Sequence, residues 1–91
     1  MTYRFRASRV FWRSFAKLPE RQQLLAREKF RIFKSDPFDP RLRAHKIHSL
    51  SAYYKRTIYA VEIEGDLRAA FYLEGDTVLT VDIGTHAIYR V

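Results

Sequence analysis

Cysteine is absent from this 91-residue chain, glycine and proline occur three times each, and acidic residues are outnumbered by basic ones. Without thiols there is neither a disulfide framework nor a thiolate metal site, which excludes zinc-finger architectures and fits a reducing compartment. The scarcity of Gly and Pro, beside 47% hydrophobic and 15% aromatic residues, excludes a disordered basic tail and predicts order nearly end to end. No apolar run approaches the roughly 20 residues of a membrane span. The first residues carry Arg4, Arg6 and Arg9 but no apolar export stretch. The expectation is a soluble, cytoplasmic protein with no membrane partner. A chain of this length buries roughly 60–65% of its unfolded surface. Residues 1–91 are therefore expected to form a single domain around one core, without an enclosed pocket for a large cofactor.

What is abundant is positive charge: 17 Lys plus Arg against 10 Asp plus Glu, a formal net charge of +7. It is concentrated in residues 1–50, with 13 basic against four acidic residues, whereas residues 51–91 hold four against six. Such an asymmetry steers association with a polyanion or an acidic protein.

Tyr3-Arg4-Phe5-Arg6 alternates apolar and basic residues, the period of a short strand with one buried and one basic face. Ser8 is a candidate N-cap, and Val10, Phe11, Phe15 and Leu18 then repeat near helical spacing, with Arg9, Arg13 and Lys17 four apart on another face. Pro19 breaks this helix and suits the first turn of the next, where Ala26, Phe30 and Phe33 stand at i, i+4 and i+7. Ser35-Asp36-Pro37 ends it. Two helices joined so tightly predict an antiparallel hairpin. Pro37 and Pro40 fix a non-helical connection in which Phe38 and Leu42 anchor the loop to the core. Tyr54 to Ile63 reads as strand, Gly65-Asp66 as a turn, Leu67 to Leu73 as a second strand, and Gly75-Asp76 as the turn before a third over Val78 to Ile83. The expected fold is α+β: a small antiparallel sheet in β-α-α-β-β-β order, with the helical hairpin on one face and the other face open for a site.

His45, His48, Glu62, Arg68, His86 and Tyr89 are the residues that can do chemistry. None belongs to a metal, P-loop or Gly-rich phosphate motif, so no cofactor is implied. His45 and His48 stand three apart in a segment read as entering the sheet; on a strand they would point to opposite faces, so no metal site is expected. Ser49, Ser51 and Thr85 lie near His without the strand-turn-helix setting that exposes a nucleophile. What remains is the equipment for cleaving RNA without a metal. Histidine moves protons near neutrality. Arginine gives a phosphorane two hydrogen bonds and stays charged, and Arg68 is the one such residue in its strand. Tyr89 offers a ring on which an unpaired base can stack. Each also has an ordinary use: Arg68 as a solvated strand residue, His86 in a plain turn, Tyr89 at the core edge.

Phe15-Ala16-Lys17-Leu18-Pro19, then DPFDPRLRAHKI from Asp36 to Ile47, Asp66-Leu67-Arg68, and DIGTHAIYR from Asp82 to Arg90 follow one another in an order that resembles the RelE/ParE superfamily of bacterial type II toxin-antitoxin toxins across nearly the whole chain. The resemblance implies the RelE/ParE-like fold and a cognate antitoxin. RelE-branch members are ribosome-dependent endoribonucleases that cut mRNA, whereas ParE-branch members poison DNA gyrase. By resemblance Arg68 takes the place of the phosphate-stabilising strand Arg, and His86 that of a catalytic His or Arg. Tyr89 falls near the aromatic that contacts the mRNA base. His45 matches a His of one histidine-rich subgroup, whose second His aligns with Glu62, a possible replacement base. Lys46, Lys55 and Arg56 supply cations near the basic residues of ribonuclease members. Leu50-Ser51-Ala52 departs from the usual Leu-x-Gly. The retained set favours an mRNA interferase that inhibits translation by 2′-hydroxyl attack with acid-base catalysis, its basic helices, with Arg13 and Lys17, docking on ribosomal RNA. The alternatives are a gyrase inhibitor without nuclease activity and a non-toxic antitoxin-binding relative. The antitoxin is expected to wrap the basic helices and the sheet edge with an acidic or disordered segment.

Overall fold

The computed structural model describes residues 2–90. Alternation over the first residues yields strand β1 (Arg4–Ala7), which exposes Arg4 and Arg6 and half-buries Phe5 and Ala7. Ser8 caps helix α1 (Arg9–Ala16) as its spacing predicts: its Oγ accepts from the Phe11 N–H at 3.0 Å and donates to the Val81 carbonyl at 2.7 Å. Pro19 is extended and stands one place earlier than expected, as the cap of helix α2 (Glu20–Ser35) rather than in its first turn. The Gln23 Nε2 donates to the carbonyls of Phe15 and Leu18, both at 3.1 Å, and so satisfies groups that the end of α1 leaves open. Asp36 and Pro37 stop α2.

The following loop anchors as read from sequence. Pro37 and Leu42 are fully buried, and Phe38 meets the rings of Tyr59 and Phe71. Asp39 caps a 3-10 turn (Pro40–Leu42), and its hydrogen bonds from Arg41, the side chain foremost, hold its carboxyl down at about 2.

Strand β2 (His45–Lys46), helix α3 (His48–Tyr54) and strands β3 (Tyr59–Glu64), β4 (Leu67–Glu74) and β5 (Thr77–Gly84) complete the sheet. Among the described residues it has five strands in the order β1-β5-β4-β3-β2. Both predicted hairpin turns are two-residue loops that start on a glycine of positive φ, Gly65 at 52° and Gly75 at 62°. Irregularities in the ladder fall at Ile63 and Val81. Glu64, beyond the first, receives a bidentate Arg21 guanidinium from the start of α2 at 2.7 and 2.8 Å.

Three expectations need correction. The sheet is not wholly antiparallel, because β1 runs parallel to β5. Side-chain bonds fix that edge: Ser8 to Val81, and the Thr80 hydroxyl donating to the Arg6 carbonyl at 3.2 Å. Tyr54 does not begin a strand; residues 48–54 form α3 and the strand starts at Tyr59. The β-propensity of Tyr53 and Tyr54 yields because a helix here buries Ile47 and Leu50 against Ile58, Ala60 and Ala70. Lys55, in the left-handed region at φ 56°, ends the helix. His48 accordingly opens a helix, so its relation to His45 is not that of two residues on one strand.

The two helices cover one sheet face as expected, with Phe11, Phe15, Ala26 and Phe33 packed on Val61, Ala69, Phe71 and Val78. Phe33 meets Phe71 edge-on at 5.0 Å. The other face is not simply open: α3 and a C-terminal 3-10 turn (His86–Tyr89) cover part of it with a second apolar cluster. Ser8→Ala removes both the cap and a cross-link to β5. It is expected to lower unfolding free energy by about 1–2 kcal/mol, toward the upper end for a lost N-cap, read as a urea midpoint shift.

Candidate active site

Strand alternation on β4 sends Ala69 and Phe71 into the helix-side core and sets Arg68 on the opposite face. Register places Glu62 of β3 directly beside Arg68, and Gly84 of β5 on its other flank. The Arg68 Nη1 lies 3.6 Å from Glu62 Oε2, and its Nε lies 4.0 Å from Asp66 Oδ1. On the far side of Glu62, Arg43 Nη1 approaches Oε1 at 3.8 Å. The Arg68 side chain is only 13% exposed, yet its Nε has no hydrogen-bond partner among the described residues. A buried, incompletely bonded guanidinium is costly and is a group ready to bind an anion.

The C-terminal turn closes over this row. Gly84 makes that approach possible, because a Cβ there would lie 2.8 Å from Ile88 Cγ2. Thr85 caps the turn, and Asp66 holds it through its carboxylate, which accepts from the His86 backbone N–H at 3.3 Å and bonds His86 Nδ1. A carboxylate only accepts, so Nδ1 carries the proton and Nε2 is left for proton transfer. The Tyr89 ring stands edge-on to His86 at 5.3 Å, and its carbonyl accepts from Ser49 Oγ at 3.3 Å. The Tyr89 hydroxyl is buried without a partner among the described residues. Burial pushes its pKa up; the neighbouring Arg68 cation pulls the other way.

Arg68, Glu62, His86 and Tyr89 are therefore brought together. His45 is not. It pairs with Ala60, its Nδ1 donates to the Arg43 carbonyl at 2.9 Å, and register puts it two strands and two residues from Arg68. That is about 12 Å in backbone terms. Lys46 pairs with Tyr59, which packs into the helix-side core, so Lys46 belongs to the opposite face. Lys55 is exposed at the end of α3, while Arg56 pairs with Glu74 at 3.1 Å and covers the Tyr72 ring. Arg13 and Lys17 are exposed on the helical side.

Sequence reasoning missed Asp66 and Arg43. Asp66 was legible as a turn residue and as part of the Asp66-Leu67-Arg68 segment, but was given no role in the chemistry. Arg43 carried no signal, since its position depends on a left-handed backbone (φ 52°) that sequence does not announce. Among the described residues no cluster of three or more His, Cys, Asp or Glu is placed to hold a metal ion, and no helix is long and apolar enough to cross a membrane.

A helical pair on one face of a mostly antiparallel sheet, with a charged row on the other, defines the architectural class. The fold is the RelE-like toxin fold. The chain is similar to a solved archaeal RelE–RelB complex from Pyrococcus horikoshii, with a TM-score of 0.71 and 15% identity over 93% of this chain and 96% of that one. It is also similar to a copper-bound mutant toxin from Helicobacter pylori, with a TM-score of 0.63 and 16% identity over 96% and 98% of the two chains. No protein-family model and no curated protein matches the sequence.

The Tyr89 phenol is expected to titrate above the ordinary tyrosine value. Arg68→Gln raises it further, because the only large opposing influence is removed. An ultraviolet phenolate titration against Tyr89→Phe reads both. Gly84→Ala is expected to destabilise the fold by about 1–3 kcal/mol through overpacking, with Ile88→Val restoring part of the loss.

Proposed function

We propose that this chain is the toxin of a toxin-antitoxin pair and that it cleaves mRNA on the ribosome without a metal. The observation that carries the reading is the convergence of Arg68, Glu62, the Asp66–His86 pair and Tyr89 on one sheet face. The RelE fold supports the toxin role.

In the proposed reaction a base, His86 Nε2 or Glu62, takes the 2′-hydroxyl proton. The freed oxygen attacks the adjacent phosphorus, and Arg68 stabilises the charge on the phosphorane oxygens. The bond to the 5′ oxygen breaks as the partner of that base, in its protonated form (Glu62 where His86 is the base, His86 where Glu62 is), delivers a proton to it, leaving a 2′,3′-cyclic phosphate and a 5′-hydroxyl. Asp66 fixes the tautomer and orientation of His86. His45 enters only as a peripheral contact at this spacing. Because Arg68 is 13% exposed, the turn bearing His86 and Tyr89 must shift for a phosphate to reach it. Tyr89, freed by that shift, stacks a base of the bound codon.

The antitoxin suits the opposite side of the molecule. Phe5, Trp12 and Phe30 line a groove of about 470 Å³ between β1, α1 and α2, rimmed by Arg27, Arg31 and Lys34. An acidic amphipathic segment matches that surface in both shape and sign.

Arg68→Ala and His86→Ala are each expected to lower mRNA cleavage by at least about 100-fold, and Asp66→Asn by less. The measurement is mapping of mRNA 5′ ends during growth arrest. Codon-phased cuts that vanish in the variants support the assignment. Full cleavage in both alanine variants overturns it, and arrest without cuts moves the activity to a target such as gyrase.

A further inference from the structure

Four residues beyond Arg68 on β4, and on the same face, stands Tyr72. The strand rise puts it about 13 Å away. It lies in a second groove, of about 400 Å³, bounded by Val10 at the start of α1, Tyr54 at the end of α3, and the outer parts of β4 and β5. It is an open surface depression, not an enclosed cavity. The cleavage chemistry above makes no use of the groove.

Its walls combine apolar side chains (Val10, Leu79, Val81) with two tyrosines, one cation and one carboxylate. The Arg56 guanidinium carbon lies 4.3 Å from the Tyr72 ring centroid. Tyr54 is 44% exposed and Val10 47%, and the Tyr53 ring supports Tyr54 edge-on at 5.1 Å. Arg56 is held otherwise by one ion pair with the largely exposed Glu74, a contact of little net strength that a phosphate can displace. Asp82 also borders the groove. Its Oδ1 takes hydrogen bonds from the Ser14 hydroxyl at 2.6 Å and the Ile83 N–H at 2.8 Å, and Oδ2 has none among the described residues. A carboxylate there disfavours an acidic peptide and accepts from an exocyclic amino group.

We propose that this groove is a nucleobase subsite of the same RNA-binding face. An unpaired base inserts beside Tyr54 and presents its amino edge to Asp82, and Arg56 meets the adjoining phosphate. Stacking on aromatic and guanidinium planes is the common means of holding single-stranded RNA. The subsite deepens the ribonuclease reading and rests on it, since it takes the strand whose scissile phosphate lies at Arg68.

The test compares 2′-O-methyl oligonucleotides, which bind without being cut, by NMR titration: a cytidine dinucleotide, a cytidine hexanucleotide and a uridine hexanucleotide. The cytidine hexamer is expected to bind at least about tenfold more tightly than the dinucleotide, and more tightly than the uridine hexamer. Tyr54→Ala removes most of that gain without altering dinucleotide affinity, and Tyr54→Phe retains it. Arg68→Ala weakens both lengths. A dinucleotide that binds through Arg68 with no gain on extension overturns the subsite alone. Failure of every oligonucleotide to bind the free protein overturns the subsite alone, because the ribosome-dependent ribonuclease reading stands or falls on the 5′-end mapping above. Tyr54→Ala that weakens antitoxin capture while hexamer affinity stays unchanged makes the groove a protein-docking surface and overturns the proposal.

Discussion

The burial of β4 from both sides is the constraint on which the rest of the structure depends. Ala69 and Ala70 are fully inaccessible, one facing the helical layer and the other α3. Small side chains at this centre let larger ones approach: Phe33 and Phe71 fill the space on one face, and Leu50 and Ile58 on the other. Because β4 is central, its register with β3 and β5 fixes where every residue of the charged row sits. Arg68 is thus held on a strand that is paired on both edges and packed on both faces.

That placement forces an electrostatic compromise. A nearly buried guanidinium needs anions nearby, and Glu62 and Asp66 supply them at 3.6 and 4.0 Å without closing a short hydrogen bond. The charge is compensated at longer range while its donors stay incompletely used. A phosphate can therefore replace these contacts instead of competing with a tight bidentate pair such as that of Arg21 with Glu64. Asp66 serves twice, offsetting Arg68 and holding His86 in one tautomer, so the hairpin turn after Gly65 and the C-terminal turn are linked through one carboxylate.

The two sheet faces differ in kind. The helical face borders an apolar groove with Arg6, Arg27, Arg31 and Lys34, in keeping with an acidic partner. The other face combines cations with carboxylates and exposed tyrosines, in keeping with a polar, partly aromatic ligand whose phosphates are read one at a time. On the proposed function, the two faces would meet a partner protein and RNA with different chemistry.

Periodicity alone determined both long helices, the cap at Ser8, the loop anchors Phe38 and Leu42, and the two glycine turns, because each rests on neighbours a few residues apart. Residue type and the family resemblance, not periodicity, drew attention to His45, Glu62, Arg68, His86 and Tyr89. The helix at 48–54 was hidden because Tyr53 and Tyr54 favour strands locally, and only packing of Ile47 and Leu50 on the sheet outweighs that preference. The pairing of β1 with β5, the bond between Asp66 and His86, the approach of Arg43 to Glu62 and the distance of His45 from Arg68 were decided by tertiary structure. These relations join residues far apart in the chain, or depend on strand register and a left-handed backbone at one residue, and no local pattern encodes either.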